Sequence, residues 1–240
     1  MISIRRSGDR GRARFSWLDS HHTFSFGHYH DPQHMGFGPL RVINEDRVKP
    51  AAGFATHGHR DMEIISYVLD GALEHRDSIG NGSIIRPGEV QRMTAGSGIQ
   101  HSEFNHSPDD EVHFLQIWIQ PVQAGLDPGY EQKAFDDEEK HNRLRIVVSA
   151  DGRDGSLTIH QDASLSIASL DPSAAVRYPV QKDRAAWVQL ARGAAIVNDL
   201  ALEQGDGAAV SEVVEVAITA TGNGAEILLF DLPSISAPVS

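Results

Sequence analysis

An all-β fold of two related barrels in tandem is what this 240-residue sequence predicts. Three observations lead there. Short segments rich in Val, Ile, Leu and aromatics, broken by Gly, Pro, Asn or Asp, recur along the whole chain; helical signals are thin; and the second half repeats the layout of the first.

In chain order the strand-like runs are LRVINEDRV from Leu40, EIISYVL from Glu63, ALEHRDSI from Ala72, VHFLQIWIQ from Val112, LRIVVS from Leu144, SLTIHQDASLSIASL from Ser156, AWVQLARG from Ala186, AAIVND from Ala194, VAITAT from Val216 and EILLFDL from Glu226. Residues 120–143, QPVQAGLDPGYEQKAFDDEEKHNR, lack strand alternation, carry Pro121 and Pro128 and an acidic cluster from Asp136 to Glu139, and read as a connector with room for a short helix. The domains are therefore drawn as 1–130, a linker 131–145, and 146–240. The two halves echo each other: IISYVLDGALEHRDS leads to RPGEVQRM as AWVQLARGAAIVNDL leads to GDGAAVSE, each a strand, a glycine turn, a strand and a further Gly-containing turn.

Composition narrows the function. Apolar residues make up 40% and charged residues 22%, and no apolar run approaches the roughly 18 residues of a membrane span, so a soluble globular protein without a membrane partner is expected. The opening MISIRRSGDRGRARF has no apolar segment of the secretory kind, and a cytoplasmic location fits best. With no cysteine, disulfides and thiolate metal sites are excluded, which leaves His and carboxylate as strong ligands. A net charge of −12 opposes binding to nucleic acid, whose affinity rests on neutralised phosphates. Arg5, Arg6, Arg10, Arg12 and Arg14 form a local basic exception, read as a solvated arm pairing with the acidic remainder.

Chemistry concentrates in the first half. In FATHGHRDMEIISYVLDG, residues 54–71, His57 and His59 stand two apart and so share one face of a strand. The stretch GSGIQHSEFN repeats the device with His101 and Glu103. If these strands lie side by side, three imidazoles and a carboxylate converge, a donor set for a first-row divalent ion with positions left open for water, substrate or dioxygen. Spacing alone leaves Glu63 and Glu103 as alternative carboxylates. Phe24, Phe26, Tyr29 and Phe37 read first as core, with the lining of a pocket for a flat aromatic molecule as the alternative. His22, His28, His30, His34 and His75 read as hydrogen-bonding or surface groups.

These residues carry a resemblance. Gly53, His57, His59, Glu63 and Gly71 are similar to the first motif of the cupin superfamily, and Gly88, Gly96, His101 and Asn105 to its second, with Thr94 where a proline is usual and altered spacings. The longer stretches WLDSHHTFSFGHYHDPQHMGFGPLRVIN, THGHRDMEI, AGSGIQHSE and DGSLTIHQD resemble the pirin family, and within it the bacterial pirin-like quercetinases. The resemblance implies two jelly-roll-like cupin barrels, a bicupin. It implies one metal, in the N-terminal barrel, on His57, His59, His101 and Glu103. Fe(II) is its first choice of ion, with Ni, Co, Cu, Mn or Zn also suited to the donors. Aligning Gly193 with Gly71 puts Pro179, Gln181 and Ala185 where His57, His59 and Glu63 stand in the first half, and no histidine follows His160.

The activity implied is a dioxygenase that opens a flavonol such as quercetin with dioxygen and releases carbon monoxide. Glu103 would be both ligand and catalytic base for the 3-hydroxyl. Two other classes remain open: a metal- or redox-responsive regulator that binds a protein partner, and a metal-binding barrel acting on another small molecule.

Overall fold

Gly, Pro, Asn and Asp punctuate the sequence at short intervals, and the chain turns at them. The computed structural model describes residues 1–234. It begins with β1 (Ile2–Arg5), β2 (Gly11–Arg14), β3 (Leu18–His22), β4 (Leu40–Val48), β5 (Gly53–His59), β6 (Glu63–Asp70), β7 (Leu73–Asp77), β8 (Gly82–Ile85), β9 (Glu89–Thr94), β10 (Ile99–Asn105), β11 (Val112–Ile119) and β12 (Gly129–Ala134). After the one-turn helix α1 (Asp137–Lys140) come β13 (Arg145–Ser149), β14 (Leu157–Thr158), β15 (Ser164–Leu170), β16 (Ala175–Pro179), β17 (Arg184–Val197), β18 (Leu200–Glu203), β19 (Gly207–Val210) and β20 (Glu215–Pro233). The expected all-β architecture is present. Among the described residues no helix is long and apolar enough to cross a membrane.

In the first half a seven-stranded sheet, ordered β12-β9-β6-β11-β4-β3-β2, stands against a four-stranded sheet, β5-β10-β7-β8. The central strands β6 and β11 are buried at nearly every position, which is why their sequences show no polar alternation. One face, with Ile43, Ile65, Tyr67, Leu115 and Ile117, packs into a core shared with Val147, Leu165, Trp187, Leu228 and Phe230 of the second half. The other face carries Asn44, Ser66, Gln116 and Trp118 toward the four-stranded sheet.

The second half forms one nine-stranded sheet, completed by β1 from the N-terminus, in which β17 and β20 run long enough to serve two walls. They pair on both sides of a break at Gly193, with β19 beside the first part of β17 and β18 beside the last. Gly193 has φ +74°, and a side chain there would meet the Gly224 carbonyl at 2.0 Å, so only glycine lets the strands cross this corner. The enclosed interior is aliphatic: Val188, Leu190, Val210, Val216, Ile218, Ile227 and Leu229.

Several local expectations change. The polar segment Gly129–Ala134, read as connector and linker, forms strand β12 on the edge of the seven-stranded sheet; an edge strand needs no apolar alternation, and its charges blunt the open edge. The short helix lies inside the acidic cluster, at Asp137–Lys140. Arg6, Arg12 and Arg14 are exposed, and Arg6 and Arg12 pair with carboxylates as expected, but Arg5 is buried and the Arg10 side chain is covered, so the segment is not a free arm. β1 pairs with β19 of the C-terminal sheet, buried Arg5 donates to the Tyr29 hydroxyl at 2.6 Å, and Arg6 reaches Asp206 at 2.7 Å. Arg10 pairs with Glu45 at 2.9 Å, leaving the arm's charges tied to both halves.

Trp187 makes the shared core testable. It is 3% exposed, with ring centroids 4.9 Å from Phe24 and 5.7 Å from Phe37. Trp187→Ala should cost about 3–5 kcal/mol and leave a single unfolding transition, because the cavity opens between the halves. A calorimetric scan that splits in two, or a loss below about 1 kcal/mol, would contradict a common core.

Candidate metal centre and cavity

Local pairing brings the histidines together. β5 lies antiparallel to β10 with His57 opposite His101 and His59 opposite Ile99. Between His101 and Glu103 the register slips by one residue, leaving Ala55 and Thr56 opposite Ser102 alone. The Ala55 carbonyl in this bulge accepts a hydrogen bond from His57 Nδ1 at 2.9 Å. Gly53 permits the close approach just beyond, since a side chain there would strike the Glu103 carbonyl at 2.3 Å.

The rings of His57, His59 and His101 form a triangle with centroids 4.5–4.8 Å apart, and their ligand nitrogens lie within 4.8 Å of one another. Glu103 faces the same way from β10, within 4.8 Å of His101 and His75 nitrogens. Its Oε2 accepts from Gln116 Nε2 at 2.7 Å and its Oε1 from Ser66 Oγ at 3.2 Å. Glu63 is elsewhere. It is fully buried, with its oxygens taken by Thr94 Oγ1 at 2.8 Å and His160 Nδ1 at 2.8 Å, and it ties the two halves together.

The donors fit a divalent ion. A carbonyl can only accept, so His57 carries a proton on Nδ1, and the neutral ring then turns a bare Nε2 toward His101 Nε2, 3.1 Å away. Two nitrogens bonded to one first-row ion at about 2.0–2.1 Å each stand at such a separation. Burial, then the neighbouring imidazoles, holds His59 down to about 4 and His101 to about 3, the neutral form that ligates. Among the described residues, the clusters of three or more His, Asp or Glu able to hold an ion both lie in the first half.

A cavity of about 470 Å³ opens beside the triangle. That is within the range of small-molecule sites. Phe26, Phe54 and Trp118 supply flat walls, and Trp118 stacks edge-on against both His59 and Phe26. Of the four aromatics singled out in the sequence, Phe26 and Tyr29 line the cavity while Phe24 and Phe37 are core. The histidines divide likewise. His34 pairs with Asp31 and His30 is exposed, whereas buried His22 lines the cavity and buried His75 backs His101.

The polar floor was not anticipated from sequence. His22, Asn44, Gln116, Ser66 and Gln91 are successive cross-strand partners, forming one row across the large sheet. Asp46 lies beside that row. Their only signal is a polar residue at alternate positions inside an apolar strand, as in VINED and FLQIW.

Asp46 is 4% exposed, and burial above all pushes its carboxyl from 3.8 up to about 7; Ser20 opposes the rise, and the charges of Glu103 and Glu45 add to it. A folded pKa above the unfolded one means that stability is lost as pH climbs from about 4 to about 7, by a ceiling of about 4 kcal/mol. Asp46→Asn should remove that loss, so metal-free variant and parent should diverge in urea stability toward pH 8, with the variant higher. A pH-independent difference would contradict the buried acid.

Residues 4–119 match the family model described as Pirin, and residues 146–232 the one described as the quercetinase C-terminal cupin domain. The quercetin 2,3-dioxygenase of Escherichia coli (strain K12) is 43% identical over 235 residues, covering 98% of this chain and 100% of that one. A pirin-like protein of Caulobacter vibrioides is 39% identical over 232 residues, covering 96% and 99%. The crystal structure of the bacterial pirin YhhW from Escherichia coli in complex with nickel(II) superposes with a TM-score of 0.93 at 43% identity, covering 98% of this chain and 100% of that one. A two-barrel fold shared from end to end at this identity, with the histidine triangle in its first barrel, means that the chain belongs to the pirin family.

Proposed function

We propose that this protein is a metal-dependent dioxygenase that opens a flavonol such as quercetin and releases carbon monoxide. The observation that carries the reading is the aromatic-walled cavity ending on His57, His59 and Glu103, in a chain 43% identical over its length to a quercetin 2,3-dioxygenase. His57, His59, His101 and Glu103 would hold one divalent ion, with Fe(II) first among those that suit the donors. When bound, the ion supplies Lewis acidity toward the flavonol 3-hydroxyl and a centre at which dioxygen can react.

The chain's own residues do the rest. Glu103 takes the 3-hydroxyl proton, held in place for it by Gln116 and Ser66. Trp118, Phe26 and Phe54 clamp the flat rings and keep water from the reacting carbon. The metal belongs to the N-terminal barrel, whose large sheet extends through β12 to Ala134, and the aliphatic interior of the second barrel supports this division.

Protein purified without added metal and then loaded with each candidate ion should bind one equivalent. At least one loaded form should bleach the flavonol absorption band with matching carbon monoxide release. No bleaching with any ion would sink the reading, and a second tightly held ion would overturn the division of roles between the barrels.

A further inference from the structure

Behind the histidine triangle, on the side away from the cavity, lies a second row of polar groups with no part in the proposed reaction. β7 runs along the other edge of β10, with Asp77 opposite His101 and His75 opposite Glu103. His75 is fully buried, and Tyr130 stacks on its ring at 5.0 Å. Its Nε2 faces Asp77 Oδ2 at 3.2 Å, and its Nδ1 faces His101 Nδ1 at 3.5 Å. Asp77 is itself pinned: Oδ1 accepts the backbone N–H groups of Ile79 at 3.1 Å and Asn81 at 2.9 Å, and Oδ2 accepts Asn81 Nδ2 at 2.9 Å.

We propose that His75 and Asp77 are a positioning pair that fixes the tautomer of His101, forcing its proton onto Nδ1 and so baring Nε2 for the metal. The order of protons follows from what each atom can do. A carboxylate only accepts, so His75 carries its proton on Nε2. A neutral imidazole protonated there has a bare Nδ1, which can only accept in turn. The group in reach is His101 Nδ1–H, and His101 then points a lone pair at His57 Nε2, 3.1 Å away and itself bare because His57 Nδ1 is bound to the Ala55 carbonyl.

The pair guards against a specific competitor. Were His101 free to move its proton to Nε2, it would donate to His57 Nε2, and two ligands would satisfy each other with no ion between them. Binding would then require that bond to break and the proton to move. Held by His75, the two lone pairs face each other and repel until a cation enters. Outer partners of ligating histidines are typically worth about 10–100-fold in metal affinity.

The inference rests on the reading of His101 as a metal ligand, but its test uses no flavonol and so fails or succeeds apart from the enzymatic reading. In ¹⁵N-labelled metal-free protein, long-range ¹H–¹⁵N correlation should show His101 as the Nδ1–H form and His75 as the Nε2–H form. His75→Phe keeps the ring's bulk without an acceptor, and should turn His101 to Nε2–H and weaken Ni(II) binding, measured by chelator competition, by about 10–100-fold. Asp77→Asn should weaken Ni(II) in the same direction, and serves alone if the Phe variant does not fold. His75→Asn sets an amide oxygen near the place of Nδ1 and should restore the Nδ1–H form and an affinity within about threefold of the parent. An Nε2–H form of His101 in the parent would overturn the proposal. So would equal losses in the Phe and Asn variants, or parent affinity in both His75→Phe and Asp77→Asn.

Discussion

Glu103→Gln in fully metal-loaded protein should lower flavonol turnover by about 10²–10⁴-fold, the usual contribution of a positioned general base. The substitution keeps an oxygen donor of nearly the same shape. The groups that hold this side chain also tolerate it, because the amide can present its oxygen to Gln116 Nε2 and its nitrogen on the side of Ser66 Oγ, which can accept as well as donate. Metal affinity should therefore fall moderately while the rate falls steeply, and a flavonol analogue without the 3-hydroxyl should be inert with either form. Turnover near the parent rate at full occupancy would reduce Glu103 to a ligand. The search for a base would then move to Asp46, the buried carboxyl on the same cavity wall, and not to Glu63, which does not line the cavity.

The two pairs of candidate ligands were legible because strand geometry is local. His57 with His59, and His101 with Glu103, need only the two-residue repeat to share a face, and flanking glycines mark where each strand begins. Choosing Glu103 over Glu63 took the family resemblance, since both carboxylates sit at plausible spacings and their separation depends on which face of β6 looks into the barrel. The floor of the cavity was not legible for a related reason. β4 and β11 are buried on both faces, one against the second barrel, so Asn44, Asp46 and Gln116 read as interruptions of apolar runs and not as one side of a site. Sequence distance hid the fate of the arginines, since the partner of Arg6 is Asp206. β12 escaped notice because an edge strand with few apolar residues differs little from a loop in composition.

His57→Ala, His59→Ala and His101→Ala should each cut Ni(II) affinity by more than the roughly 10–100-fold typical of an outer partner, while leaving the fold intact. The three rings occupy the cavity end of the small sheet, and the hydrophobic clusters that hold the molecule together do not include them. Unfolding free energy in the metal-free state should therefore stay within about 1 kcal/mol of the parent for the partly buried His57 and His59, and fall by about 1–3 kcal/mol for buried His101, whose loss leaves His75 without its donor. Glu63→Gln should do the reverse. Its carboxylate is fully buried and accepts from Thr94 and His160, so losing the charge should cost about 1.5–3 kcal/mol, the worth of hydrogen bonds to a buried ion. Ni(II) affinity should meanwhile change by less than about threefold, because Glu63 belongs to neither cluster able to hold an ion. Chelator competition and urea unfolding on the same four proteins decide the matter. Metal lost from the Glu63 variant with its stability unchanged would make Glu63 the carboxylate ligand, and full occupancy after any one histidine change would remove that residue from the set.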